Sequence, residues 1–118
     1  MTALNQITNE IELGYMSISE GVWINNTDDG EILNPDEIVI TDEHIVVVFD
    51  YPLSNPVEIQ FHGTGFSRKQ ISELIMQMYA TIYDEETDMY GIWGHSIGDL
   101  VLHSITLENG KYRIGVDS

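Results

Sequence analysis

One hundred and eighteen residues suit a single domain with one modest core, and 42% apolar content with 9% aromatics excludes general disorder. The chain has no cysteine, which excludes disulfides, thiolate metal sites and a cysteine nucleophile. Charge is the one extreme quantity: 20 acids stand against 4 bases, a formal net of −16, which argues against nucleic acid or an anionic membrane as a direct partner, because phosphate binding needs clustered Lys and Arg.

No repeat, low-complexity tract or linker interrupts the chain, which reads as one domain over 1–118. Within it an acidic β or irregular part (1–44) precedes a ββαββ part (45–118). The start, Met1-Thr2-Ala3-Leu4-Asn5, carries neither a basic region nor a long apolar stretch, so a cytoplasmic protein is expected. Residues 3–13 place apolar side chains near helical spacing, yet Glu10 to Tyr15 alternates, leaving helix and strand both open. Gly21 to Asn25 reads as a short strand, and Asn26-Thr27-Asp28-Asp29-Gly30 is turn chemistry. Ile38-Val39-Ile40 reads as another short strand.

The centre is more definite. His44 to Tyr51 is β-branched and aromatic, and its unbroken apolar run at 45–49 predicts a central strand covered on both faces. After the Pro52–Pro56 loop, Val57 to His62 alternates, predicting a hairpin with Val57, Ile59 and Phe61 inward and Glu58, Gln60 and His62 outward. Ser67 and Gln70 form a capping-box pattern that opens a helix over about 67–84. Its inward stripe is Ile71, Leu74, Ile75, Met78 and Ile82, with Met76, Tyr79 and Tyr83 beside it as core or as a pliable docking face. Asp84-Glu85-Glu86 loads the unfavourable end of the helix dipole. Residues 99–107 form a strand, Asn109-Gly110 a tight turn, and 112–116 the returning strand. Strands, one helix, then strands predict an α+β domain: an antiparallel sheet with one main helix across it.

From Val48 onward the chain resembles a small family of plant and microbial proteins. The resemblance rests on Phe49-Asp50-Tyr51-Pro52-Leu53, on Gly65-Phe66-Ser67-Arg68 opening the helix, and on Tyr79, Ile82-Tyr83 and Glu85-Glu86 at its end. Tyr90-Gly91-Ile92-Trp93-Gly94-His95 is the most specific match, followed by Asp99-Leu100-Val101-Leu102 and Gly115-Val116-Asp117-Ser118. Ser96 stands where the family pattern has an acid, and the stretch between helix and Trp93 is shorter. The resemblance implies domain boundaries and directs attention to 90–99, but it implies no activity.

Two sets of residues are candidates for function. Residues 1–66 hold 12 acids and no Lys or Arg, whereas 67–118 hold the other 8 acids and all four bases. A front half with a net −12 attracts cationic surfaces and speeds encounter with them. The leading expectation is therefore a non-enzymatic acidic module that occupies the basic, nucleic-acid-binding surface of a partner protein. Immunity proteins against toxic nucleases and viral or phage inhibitors of host nucleases are of this kind, by analogy. Its binding residues would be Asp28, Asp29, Glu31, Asp36, Glu37, Asp42 and Glu43, with Trp23 as an apolar anchor. The alternative, a small-molecule binding protein or small enzyme, uses the loop Tyr90, Trp93, His95, Asp99, with His95 and Asp99 as a general-base pair. The bland reading of that loop has Trp93 plugging the core and Asp99 capping a turn. No cofactor is expected, and no metal, because no H-E-x-x-H or close histidine pair occurs among His44, His62, His95 and His103.

Overall fold

The computed structural model describes residues 10–20, 22–23, 34–85, 91–94 and 96–117. Eight strands and one long helix are present among them: β1 (Glu10–Ser17), β2 (Val22–Trp23), β3 (Ile38–Ile40), β4 (His44–Phe49), β5 (Val57–His62), β6 (Phe66–Ser67), α1 (Arg68–Glu85), β7 (Val101–Glu108) and β8 (Lys111–Asp117). Six strands form one sheet in the order β2-β1-β7-β8-β4-β5, while β3 and β6 pair separately. The class is α+β, as expected. The sheet itself is mixed: β4 and β8 run parallel, with Val47 opposite Tyr112 and Val48 opposite Arg113. An antiparallel sheet was expected because the hairpin signals are local, and local signals cannot say how one hairpin meets the other. The ambiguous N-terminal segment is a strand from Glu10. Its inward residues fall at Leu13 and Met16, out of strict alternation, where the register against β7 shifts between Glu12 and Met16 and Gly14 takes a φ of +84°. The turn expected at 26–30 lies outside the described residues.

One face of the sheet holds the core. Leu13, Met16, Ile45, Val47, Phe49, Leu102, Ile105 and Ile114 are buried there together with Ile71, Ile75, Tyr79 and Ile82 of the helix. The ring of Phe49 meets that of Tyr79 edge-on, with centroids 5.1 Å apart. Two details differ from the expectation. Val46 and Val48 are only half-buried, so β4 is covered on one face and the second face of the sheet is largely open. Leu74 and Met78 are likewise half-buried, whereas Met76 and Tyr79 are buried. The helix is thus rolled toward 72, 76 and 79, and the docking-face reading of Met76 and Tyr79 gives way to core. Ser72 tolerates that buried position because its hydroxyl donates to the Arg68 carbonyl at 2.7 Å.

The helix starts as its sequence dictates. Ser67 N donates to Gln70 Oε1 (2.8 Å) and Gln70 N to Ser67 Oγ (3.1 Å), a reciprocal capping box. The next orphan donors, Arg68 N and Lys69 N, reach the carbonyls of Glu37 and Pro35, both at 2.9 Å. The acidic segment 34–43 is thereby tied to the first turn of α1. Arg68 completes the tie. Its Nε donates to Glu12 O (2.7 Å), and its Nη1 to Asn34 O and Glu37 Oε1, each at 2.9 Å.

Candidate functional site

The acidic strap is the first candidate. Asp36, Glu37, Asp42 and Glu43 are all exposed, as is Ile38 between them at 54%. Glu37 is committed to Arg68, so its charge is partly neutralised where it stands. Asp36, Asp42 and Glu43 make no ion pair among the described residues. Beside the strap a shallow groove of about 420 Å³ runs between β1 and β3, lined by Glu10, Glu12, Glu37, Ile38 and Arg68 among others. Asp28, Asp29 and Glu31 lie outside the described residues, as does the side chain of Trp23. The exposed Ile38, not named as an anchor by sequence reasoning, is the apolar group that the strap itself supplies. Hydrophobic patterning alone does not reveal it, since a three-residue apolar run has no alternation to show which face is free.

Of the four bases, Arg68 and the exposed Lys69 stand at the strap itself, and the other two lie on β8. Lys111 pairs with Glu58 at 2.8 Å, and Arg113 with Asp50 at 3.3 Å and Glu108 at 3.6 Å. These exposed pairs contribute little to stability, but they engage the two bases of β8 with carboxylates outside the strap. Among the described residues Glu37 is the strap acid that is paired, with Lys69 exposed beside the strap.

The loop near 90–99 is the second candidate. Tyr90 and His95 lie outside the described residues. Asp99 ends a one-turn 3₁₀ helix (Ile97–Asp99), and its Oδ2 accepts from Ser96 N at 3.1 Å, so the carboxylate serves the turn. Trp93 does not plug the core: it is 49% exposed and rests edge-on against Tyr51, with centroids 5.6 Å apart. The loop is held by backbone instead. Ser54 N donates to Gly91 O (2.9 Å) and Trp93 N to Pro52 O (3.0 Å). Gly91, at φ +62°, is needed because a Cβ there would sit 2.7 Å from Ser54 Cβ.

Two histidine groupings escaped sequence reasoning. The hairpin register sets His44 directly opposite His62, and their rings stack with centroids 4.4 Å apart and planes 7° from parallel. Extending the hairpin pairing outward from Phe49 opposite Val57 would have exposed this. The second grouping depends on a bulge in β7, where Leu102 faces Val116 and Ser104 faces Gly115. There Ser104 Oγ hydrogen-bonds His103 Nδ1 at 3.0 Å, and His103 Nε2 lies 3.5 Å from Asp117 Oδ1. Ser104 is only 3% exposed, which denies a substrate access to its hydroxyl; the order Ser-His-Asp is here a packing arrangement over Gly115. Among the described residues no group of three or more His, Asp or Glu side chains is placed to hold a metal ion.

The fold and these surfaces define a small α+β protein with an acidic strap and an open sheet face. No family model, curated protein or solved structure matches the chain. Among the described residues no helix is long and apolar enough to cross a membrane.

Proposed function

We propose that the chain is a non-enzymatic acidic binding module that occupies a basic, nucleic-acid-binding surface of a partner protein, as an inhibitor or immunity protein does. The observation that carries this reading is the strap 34–43: three exposed carboxylates, Asp36, Asp42 and Glu43, flank the exposed Ile38 on a segment anchored to the helix start. Carboxylates steer a cationic surface into contact, and an apolar side chain among them gives the complex its lifetime. Ile38 joins Trp23, whose side chain lies outside the described residues, as an apolar anchor. The alternative is a small-molecule binding protein or small enzyme that uses the Trp93–Asp99 loop, with His95 and Asp99 as a general-base pair; Asp99 also accepts from Ser96 N within its own turn.

The test is capture on immobilised wild-type protein and on the triple variant Asp36→Lys, Asp42→Lys, Glu43→Lys, which spares Glu37 and its bond to Arg68. The wild type should retain a basic nucleic-acid-binding protein at low salt, added nucleic acid should compete with it, and the variant should retain none. Equal retention by the triple variant would refute the reading.

A further inference from the structure

Two of the chain's four histidines, His44 and His62, face each other across a hairpin, and both are exposed. Stacked as they are, their in-plane lone pairs run parallel and meet at no common point. Because both rings stand in solvent, rotation about their side-chain torsions is open to them. A shared ion needs two nitrogens about 3–3.5 Å apart, given metal–nitrogen bonds of about 2.0–2.1 Å, and centroids 4.4 Å apart place the rings within reach of that spacing.

A further feature suits such a site. Gln60 Oε1 lies 3.2 Å from His44 Nε2, and with the amide oxygen facing the ring, Nε2–H donates. That leaves the Nδ1 lone pair of His44 for a ligand bond. Metal-binding histidines characteristically donate their second nitrogen to an acceptor in this way. The surroundings are anionic, with Asp42 and Glu43 immediately before His44 and a net charge of −16 on the chain, which raises the local concentration of cations. His62 also borders a cleft of about 300 Å³ beside the helix, leaving room for further ligands on the ion.

We propose that His44 and His62 bind a divalent late first-row metal ion, Zn(II) or Cu(II), through one nitrogen of each ring, with water in the remaining positions. Imidazole ligands favour these ions over the hard cations Mg(II) and Ca(II). The test is calorimetric titration of the full chain with Zn(II) alone and Cu(II) alone, on wild type and on His44→Ala, His62→Ala, Gln60→Leu, His95→Ala and His103→Ala. One equivalent should bind. Loss of the outer partner Gln60 should weaken binding, and loss of either His44 or His62 should weaken it by at least about tenfold, since outer partners alone are worth about 10–100-fold. The His95 and His103 variants should bind as wild type does. NMR of the wild-type imidazole protons provides the check that needs no variant: the signals of His44 and His62 should move on adding Zn(II), and those of His103 should not. No uptake by wild type at millimolar metal, unchanged affinity in both alanine variants, or loss confined to the His95 variant would each overturn the proposal.

Discussion

Tyr79 is the residue on which helix, sheet and loop converge. Its ring packs on Phe49, and its hydroxyl donates to the Tyr51 carbonyl at 2.7 Å. Burial, with smaller contributions from Asp50 and Tyr83, pushes the phenol well above the usual tyrosine range; burial and Asp42 raise Tyr112 in the same direction. The folded chain therefore holds these protons more tightly than the unfolded chain. That contribution is complete below about pH 10, where unfolded tyrosines keep their protons, and is lost progressively as pH rises beyond it. Denaturant midpoints should fall from about pH 10 upward. Tyr79→Phe should cost about 1–2 kcal/mol at neutral pH by removing the hydroxyl's bond to the Tyr51 carbonyl, while its decline above pH 10 should be shallower. Gly115 is the matching case for shape. A methyl group there would run into Ser104 Oγ and the His103 ring, so Gly115→Ala should lower stability by about 1–3 kcal/mol in thermal melts.

Among the elements, the helix start organises the most. Arg68 joins β1, the 34–37 turn and α1 through three acceptors, with its side chain only 12% exposed. Arg68→Met keeps the aliphatic stem and removes those bonds. It should lower stability by about 2–4 kcal/mol, read as a reduced urea midpoint with an unchanged slope. Arg68→Lys should recover little of this, since a single ammonium cannot reproduce a planar fork. The helix start, the hairpin at 44–62 and the Asn109-Gly110 turn, both of whose residues have positive φ, were legible because each is written in neighbouring residues. The parallel contact of β4 with β8, the bulges at Gly14 and His103, and the clamp from Arg68 to Glu12 were not. Each joins segments far apart in sequence, and a bulge moves side chains to a new face without altering composition. The same limit explains the loop at 91–99: of the three glycines expected to allow close approach, Gly91 alone makes one, to Ser54, while Gly94 and Gly98 have no tight neighbour, and nothing local showed that Trp93 stays half-exposed against Tyr51.

For the molecule as a whole, the distribution of charge matters more than its sum. Arg68, Lys111 and Arg113 are each engaged by carboxylates, and Lys69 is exposed at the helix start beside the strap. That the front half is acidic was plain in the sequence; that Glu37 is tied down while Asp36, Asp42 and Glu43 stand free of ion pairs among the described residues required the fold. A field of this kind acts on the rate of encounter and is screened by salt, with a Debye length of about 10 Å at 0.1 M and about 3 Å at 1 M. The most direct measurement is the association rate constant for the captured basic partner across that range of ionic strength. The account predicts a fall of about tenfold or more with a far smaller change in the dissociation rate, and a nearly flat profile for the triple lysine variant. An association rate that is independent of salt for the wild type would contradict it.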